Sequence, residues 1–276
     1  MRAALNIAKA WLFLGGFVVA LAAFGWWLGG YGLGALFLVV ALLMTATLFW
    51  YGPRVVLASL GARELPLAEA PQLASAADRL ALAAGVERPK LFLLEDGHPR
   101  AFAVGRGASS SGIALSNGLL GLLSPAELDG VLAHFLAKVR HRDVSIETPL
   151  VVVAGWLVEA SRIGGFLERA LLFVLAPVAA AFVNVFLSRR RIFAADLDAA
   201  ALCGTPHALA DALVRVEQAQ ELVLFKASPT TEPVYLLDPF AGEGIDALFA
   251  TQPPVGERVE RLRALDPEWR ERLRAA

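Results

Sequence analysis

Gly130-Val131-Leu132-Ala133-His134-Phe135-Leu136-Ala137-Lys138-Val139-Arg140-His141-Arg142-Asp143 is the stretch that decides the fold. Its apolar residues recur at intervals of three and four, the spacing of one face of an α-helix. Ser124-Pro125-Ala126-Glu127 lies just before it, with serine at the N-cap, proline at N1 and glutamate at N3. The pattern predicts a capped helix that carries His134 and Lys138 one turn apart on the same side.

The positions of His134, Phe135 and Lys138 correspond to those of a known catalytic motif. A zinc-protease helix carries H-E-x-x-H, in which two histidines one turn apart bind the metal and the glutamate is the general base. Here His134 matches the first histidine, Phe135 stands at the glutamate position and Lys138 stands at the second histidine. The spacing therefore predicts a helix of metallopeptidase shape whose reactive positions are replaced.

The composition indicates membrane spans. Hydrophobic residues make up 57% of the 276 residues and charged residues only 18%. Two apolar segments, 10–28 and 33–51, are joined by a glycine-rich turn at 29–32 and predict a helical hairpin. Segments 149–167 and 170–187 are weaker candidates, which either span the bilayer or lie on its surface. A cleavable signal peptide at the start is the less favoured alternative, because a second apolar segment follows at once.

The distribution of positive charge predicts the orientation and the domain boundaries. Basic residues flank all four apolar segments on one side, which the positive-inside rule makes cytoplasmic. We therefore expect a multi-pass protein of a bacterial-type inner membrane with a cytoplasmic soluble domain. Residues 1–53 and 149–187 form the two helix pairs in this interpretation, and residues 54–148 and 188–276 form the two parts of the soluble domain.

Charge and cysteine content exclude several functions. The formal net charge is −1, so no basic excess indicates nucleic-acid binding. Cys203 is the only cysteine, which excludes an intrachain disulfide and a cysteine-based metal site.

The soluble segments predict an α+β domain with a small sheet and mostly helices. Strand patterns occur at 90–95, 101–104 and 112–116. Helical patterns occur at 71–85, 125–141, 188–202 and 206–226, and a short helix is predicted from Pro253 through Leu262.

The order of these segments resembles the HtpX family, which are membrane zinc metallopeptidases linked to heat shock and membrane-protein quality control. The resemblance covers nearly the whole chain and is carried by the N-terminal pair of spans and by several motifs. These motifs are Ala101-Phe102-Ala103, Asn117-Gly118-Leu119-Leu120, Val131-Leu132-Ala133-His134, Phe193-Ala194-Ala195-Asp196, and Pro253-Pro254 with Glu257-Arg258. It implies a zincin-like cytosolic domain with about four transmembrane helices.

The resemblance also assigns roles to positions that this chain fills differently. The third zinc ligand, a glutamate, is matched by Ile192, and an arginine position is matched by Leu197. A late histidine is matched by Gln252, whereas the family aspartate is kept as Asp196. An edge-strand asparagine near the active site is matched by Arg100, and the substrate groove is expected along Arg100-Ala101-Phe102-Ala103.

These replacements lead to expectations about the site. A catalytic zinc needs three protein ligands and a water, so we expect no zinc cofactor and no peptide hydrolysis. His134 is expected to be hydrogen bonded, with Asp196 as the candidate partner. We hypothesise that Lys138 pairs with Asp196 while Phe135 and Ile192 fill the vacated volume; the alternative is that Lys138 extends to solvent.

The leading functional hypothesis is a catalytically inactive pseudopeptidase that binds, regulates or assembles. Its expected partners are the lipid bilayer and other membrane quality-control proteins or unfolded membrane-protein segments, in a homo- or hetero-oligomer. One alternative is an active zinc-dependent endopeptidase with a rearranged site. Another is a purely structural membrane scaffold whose groove is blocked by Arg100 and Phe135.

Overall fold

The structure is a computed structural model that describes residues 2–150, 152, 189–222, 252–266 and 268. Helix α1 (Arg2–Ser59) is interrupted at Gly29 and Gly30, where Gly30 takes a φ of 67°. Its two halves lie side by side, with the rings of Trp11 and Phe49 5.8 Å apart. The predicted break between the two apolar segments is therefore confirmed. Glycine suits this position because it adopts a positive φ without steric cost.

Helix α1 is long and apolar enough to cross a membrane, and no other described helix meets that test. Large apolar side chains cover its outside, including Trp27 at 79% and Leu43 at 64% exposure. Such a surface is too apolar for water and matches a lipid environment. The predicted second pair of spans, residues 149–187, lies almost entirely outside the described residues.

A four-stranded sheet has the order β1-β2-β4-β3. Its strands are β1 (Ala62–Glu64), β2 (Lys90–Leu94), β3 (Ala101–Gly107) and β4 (Ser110–Ser116). Strands β2 and β4 are parallel, and the other two pairs are antiparallel. The predicted loop at 105–111 is instead a tight hairpin with a bulge between Gly105 and Gly107, and β1 was not predicted.

The helices of the domain are α2 (Pro71–Ala84), α3 (Asn117–Leu122), α4 (Pro125–His141), α5 (Arg189–Cys203), α6 (His207–Leu222) and α7 (Val255–Arg263). Helix α4 is the central one, since its residues 130–139 are all buried. The predicted capping box is confirmed: Ser124 Oγ accepts from the Glu127 N–H, and the Glu127 carboxylate accepts from the Ser124 N–H. These local signals fix where α4 begins and thereby place His134 inside the core.

Gly130 lets α4 and α6 approach closely. A Cβ atom at this position would lie 2.6 Å from the backbone nitrogen of Leu209 and 2.7 Å from the carbonyl carbon of Ala208. The first turn of α6 therefore rests on the backbone of α4, which fixes the wall of the core beside His134.

Candidate functional site

The centre of the site is a buried group of three charged or titratable side chains from three helices. Nδ1 of His134 on α4 lies 2.8 Å from Oδ1 of Asp196 on α5. The two atoms are at hydrogen-bond distance, but the angle of the contact lies outside the usual range. Arg258 on α7 donates to both oxygens of Asp196, at 2.9 and 2.8 Å. The expected association of His134 with Asp196 is present, and Arg258 is an additional partner.

Lys138 forms a second buried pair one turn further along α4. Its Nζ lies 2.8 Å from Oε2 of Glu147, and both side chains are at most 5% exposed. The hypothesis that Lys138 pairs with Asp196 is therefore wrong in its partner, and the alternative that Lys138 extends to solvent is wrong as well. Glu147 follows the end of α4 and reaches Lys138 because the chain turns back at Arg142, which has a φ of 60°.

A second buried carboxylate, close in sequence to Glu147, also contacts a basic side chain. Asp143 is 1% exposed, and its Oδ1 lies 3.6 Å from Nη1 of Arg191 at the start of α5. Arg191 therefore turns toward the domain. Opposite charges thus join the turn after α4 to α5 at Asp143, and join α5 to α7 at Asp196.

The remaining residues that the family resemblance assigned to the site differ in how deeply they are buried. Phe135 is fully buried in the core, and its ring meets that of His134 edge-on at 5.5 Å. Gln252 is also buried. Ile192 is only half-buried and Leu197 is 48% exposed, so Ile192 does not fill an enclosed volume as hypothesised.

The predicted groove residues Ala101-Phe102-Ala103 lie in β3 at the edge of the sheet, since β3 pairs only with β4 among the described strands, and Arg100 directly precedes this strand. The Arg100 guanidinium pairs with Asp96, and its backbone N–H donates to Ser116 Oγ. The side chains of Ala101, Phe102 and Ala103 are buried. Further along, Gly105 N–H donates to Oγ1 of Thr148 at 3.0 Å, and Ser145 Oγ donates to the carbonyl of Arg106 at 2.9 Å.

Burial sets the protonation of this site. Desolvation lowers the pKa of His134 to about 4, against the opposing pull of the Asp196 carboxylate; the charges of Arg258 and Lys138 lower it further. Burial works against ionisation of Asp196, but the Arg258 guanidinium more than offsets it and holds that pKa well below its usual range. Burial raises the pKa of Glu147 in spite of the ammonium of Lys138. At neutral pH, His134 is therefore a neutral imidazole beside an ionised Asp196.

Acidification should destabilise the domain through His134. Its pKa is about 6.5 in the unfolded chain and about 4 in the folded one, so the unfolded state binds more protons between these values. We expect a loss of up to about 3 kcal/mol as the pH falls from 6.5 toward 4. Thermal unfolding of the detergent-solubilised parent chain and of His134→Gln, each at several pH values, measures this loss of stability.

The glutamine variant is needed because the raised pKa of Glu147 acts in the opposite direction. That group favours the folded state at low pH and loses its contribution as the pH rises through its folded value. The difference between the two chains isolates His134. Parallel pH profiles for the parent and His134→Gln would contradict this prediction.

The fold and the site define a class of protein. A buried helix presents an imidazole to a carboxylate from a second helix, beneath a small mixed sheet and next to an apolar N-terminal hairpin. The model of peptidase family M48 matches residues 67–266. The chain belongs to this family.

Within family M48, individual relatives show that this chain is similar to HtpX proteins. The chain is 37% identical to a "Protease HtpX homolog" of Acidiphilium cryptum, over 94% of this chain and 96% of that protein. It is 35% identical to a protein of the same name from Pyrococcus abyssi, over 89% and 91% of the two chains. The expected HtpX-like character is therefore confirmed, and the membrane association of such proteins fits α1.

A solved structure supports the fold. The crystal structure of S. mikatae Ste24p matches with a TM-score of 0.54 at 18% identity, over 93% of this chain and 64% of that longer chain. The expected mostly helical metallopeptidase fold with a small sheet is thereby confirmed.

The comparisons correct the expectation that zinc plays no part. Family M48 members are zinc metallopeptidases, and the relatives are named proteases, so the comparisons point to zinc as the cofactor. Among the described residues, however, no three His, Cys, Asp or Glu side chains come together as a metal site. The described side chains around His134 do not complete a three-ligand centre.

Sequence reasoning missed Glu147 and Asp143 as members of the site. The available signal was Lys138 itself: an ammonium on the inner face of a helix requires a buried carboxylate partner. Arg258 was noted only as part of the family resemblance.

Proposed function

We propose that this HtpX-like chain acts by binding and not by cutting. The observation that carries the proposal is Phe135, which is fully buried against the His134 ring at the position of the general base. A phenyl ring neither takes a proton from water nor returns one to a leaving amine, so acid–base assistance of about 10²–10⁴-fold is missing.

The neighbouring carboxylates are poor substitutes for that base. Asp196 is held ionised by Arg258, and a carboxylate with so low a pKa takes up protons weakly. Glu147 is held by Lys138 at 2.8 Å, so taking a proton from water would break a buried pair. These contacts support inactivity whether or not a metal is bound.

The binding role follows from what the fold retains. In this proposal the domain is a regulatory or assembly subunit in membrane-protein quality control, and unfolded membrane-protein segments lie beside the edge strand β3 by main-chain pairing. The chain is multi-pass in an inner-type membrane, with the domain in the cytoplasm, and other membrane quality-control proteins are its partners. This last step extends the family resemblance.

A second candidate, an active zinc endopeptidase with a rearranged site, is favoured by one observation. The His134 imidazole is neutral at physiological pH and so keeps a lone pair for a metal. The relatives named as proteases favour the same candidate.

A casein digestion assay distinguishes the two candidates. We expect the full chain, purified in detergent and supplied with zinc, to cleave no more casein than His134→Ala does. The Acidiphilium cryptum relative, purified in the same way, serves as the positive control. Zinc-dependent cleavage by the parent that disappears in His134→Ala would establish the second candidate instead.

Photo-crosslinking tests the binding role. A photo-reactive residue at position 100, beside the edge strand, should capture unfolded casein, whereas one at Leu82 should not. Leu82 is a matched control because it is 84% exposed on α2, away from that edge. Equal capture at both positions, or none at position 100, would favour the purely structural scaffold.

A further inference from the structure

A wide cleft separates the end of α1 from the sheet. Its volume is about 1010 Å³. Trp50 and Arg54 line it from α1, Phe92 from β2, and Arg106 and Ser110 from the β3–β4 hairpin. The cleft is away from His134, and the proposed function makes no use of it.

Two guanidinium groups give this cleft its charge. Four basic side chains and two acidic ones line it, namely Arg54, Arg88, Lys90 and Arg106 against Glu64 and Glu87. Lys90 is paired with Glu64 at 2.9 Å, and Arg88 is paired with Asp78 at 3.0 Å. Within the described residues, no carboxylate lies within ion-pair distance of Arg54 or Arg106, so their charges stay available to an anion.

Aromatic rings and a hydroxyl hold these two guanidinium groups. Arg106 lies over the Trp50 ring at 4.9 Å, and its Nη2 is 3.3 Å from Ser110 Oγ. Arg54 lies 5.9 Å from the Tyr51 ring. Such stacking orients the planar donor groups without neutralising them, and a guanidinium binds phosphate oxygens in a bidentate manner.

The position of the cleft on α1 indicates where its ligand comes from. Trp50 and Tyr51 are 62% and 53% exposed, and aromatic residues of this kind mark the headgroup level of a bilayer. Leu43 is one heptad before Trp50, on the same helix face, and is 64% exposed. A polar cleft with an arginine pair thus opens at the end of an apolar surface suited to acyl chains.

We propose that this cleft is a binding site for an anionic phospholipid, whose phosphate lies between Arg54 and Arg106 and whose acyl chains follow α1. A soluble phosphate would use the arginines but not the apolar surface, which is why the structure favours a lipid. Bound in this way, the lipid connects the membrane hairpin to the edge of the sheet.

Native mass spectrometry of the full chain in neutral detergent tests the site. The probes are phosphatidylglycerol, phosphatidylcholine and inorganic phosphate. We expect phosphatidylglycerol to bind more tightly than the other two, and its affinity to fall on the order of tenfold or more in Arg54→Gln/Arg106→Gln. Arg88→Gln is the matched control: it removes a positive charge from the same cleft, but one already paired with Asp78, and should change the affinity less than about twofold.

Three results would overturn the proposal: phosphatidylglycerol affinity unchanged in the double variant, equal binding of phosphatidylcholine, or displacement of the lipid by inorganic phosphate alone. If the double variant does not fold, the single variants Arg54→Gln and Arg106→Gln replace it. Each should then lose several-fold in affinity relative to Arg88→Gln, and no loss in either single variant would equally overturn the site.

Discussion

Arg258→Met is expected to destabilise the domain by about 3–5 kcal/mol, because it leaves the Asp196 carboxylate buried without its bidentate partner. The Arg258 side chain is fully buried, and its two hydrogen bonds are the main reason why Asp196 stays ionised. Thermal unfolding of the full chain in detergent measures the loss. Because Arg258 belongs to α7 and Asp196 to α5, the variant should also loosen α7.

The control for this prediction is on the same helix. Arg261→Met removes an arginine that is 57% exposed and pairs with Glu257, so it should cost about 1 kcal/mol or less. Asp196→Asn combined with Arg258→Met should recover part of the loss, because it removes the stranded charge. If the two single variants unfolded at the same temperature, Arg258 would have no special role in holding Asp196.

Lys138→Met is expected to cost a similar amount, about 3–5 kcal/mol at neutral pH, because Glu147 would lose its ammonium partner inside the core. The deficit should shrink on acidification, since burial already raises the pKa of Glu147 and a protonated carboxyl no longer needs a cation. Melting temperatures measured across pH, for the parent and the variant, test both statements.

Two further variants separate the buried pair from charge in general. Lys90→Met removes a surface pair with Glu64, in which both side chains are more than half exposed, and should have little effect. Lys138→Met/Glu147→Leu should regain much of the lost stability, because a buried ion pair can be replaced by apolar groups. A Lys138→Met protein with the same melting temperature as Lys90→Met would disprove the pairing.

The fold was largely predictable because its elements carry local signals. Ser124 and Glu127 mark the start of α4, Gly85 takes the left-handed conformation that ends α2, and Gly30 breaks α1. Each of these signals depends on residues within a few positions of one another. The short strand β1 was missed because three residues carry no usable periodicity, and its pairing with β2 is a tertiary contact.

The site was predictable only in part, for a related reason. Replacement of the motif at Phe135 and Lys138 can be read directly along one helix. The partners of Lys138 and Asp196 cannot be read from the sequence in this way. The choice between Glu147, Asp143 and Arg258 depends on how three helices pack. The sequence led to the hypothesis that Lys138 is paired, beside the alternative that it extends to solvent, but the hypothesis chose the carboxylate favoured by the family pattern.

The side chains of Ser145 and Thr148, which bond the backbone of Arg106 and Gly105, limit what the edge of the sheet can offer. The backbone groups of Gly105 and Arg106 are already hydrogen bonded, so a bound polypeptide cannot pair with that end of β3. It can align only with Ala101 to Ala103, a length of roughly 10 Å. So short a ladder contributes little affinity by itself. Any client would have to be selected by its own side chains or by repeated weak engagement along its length.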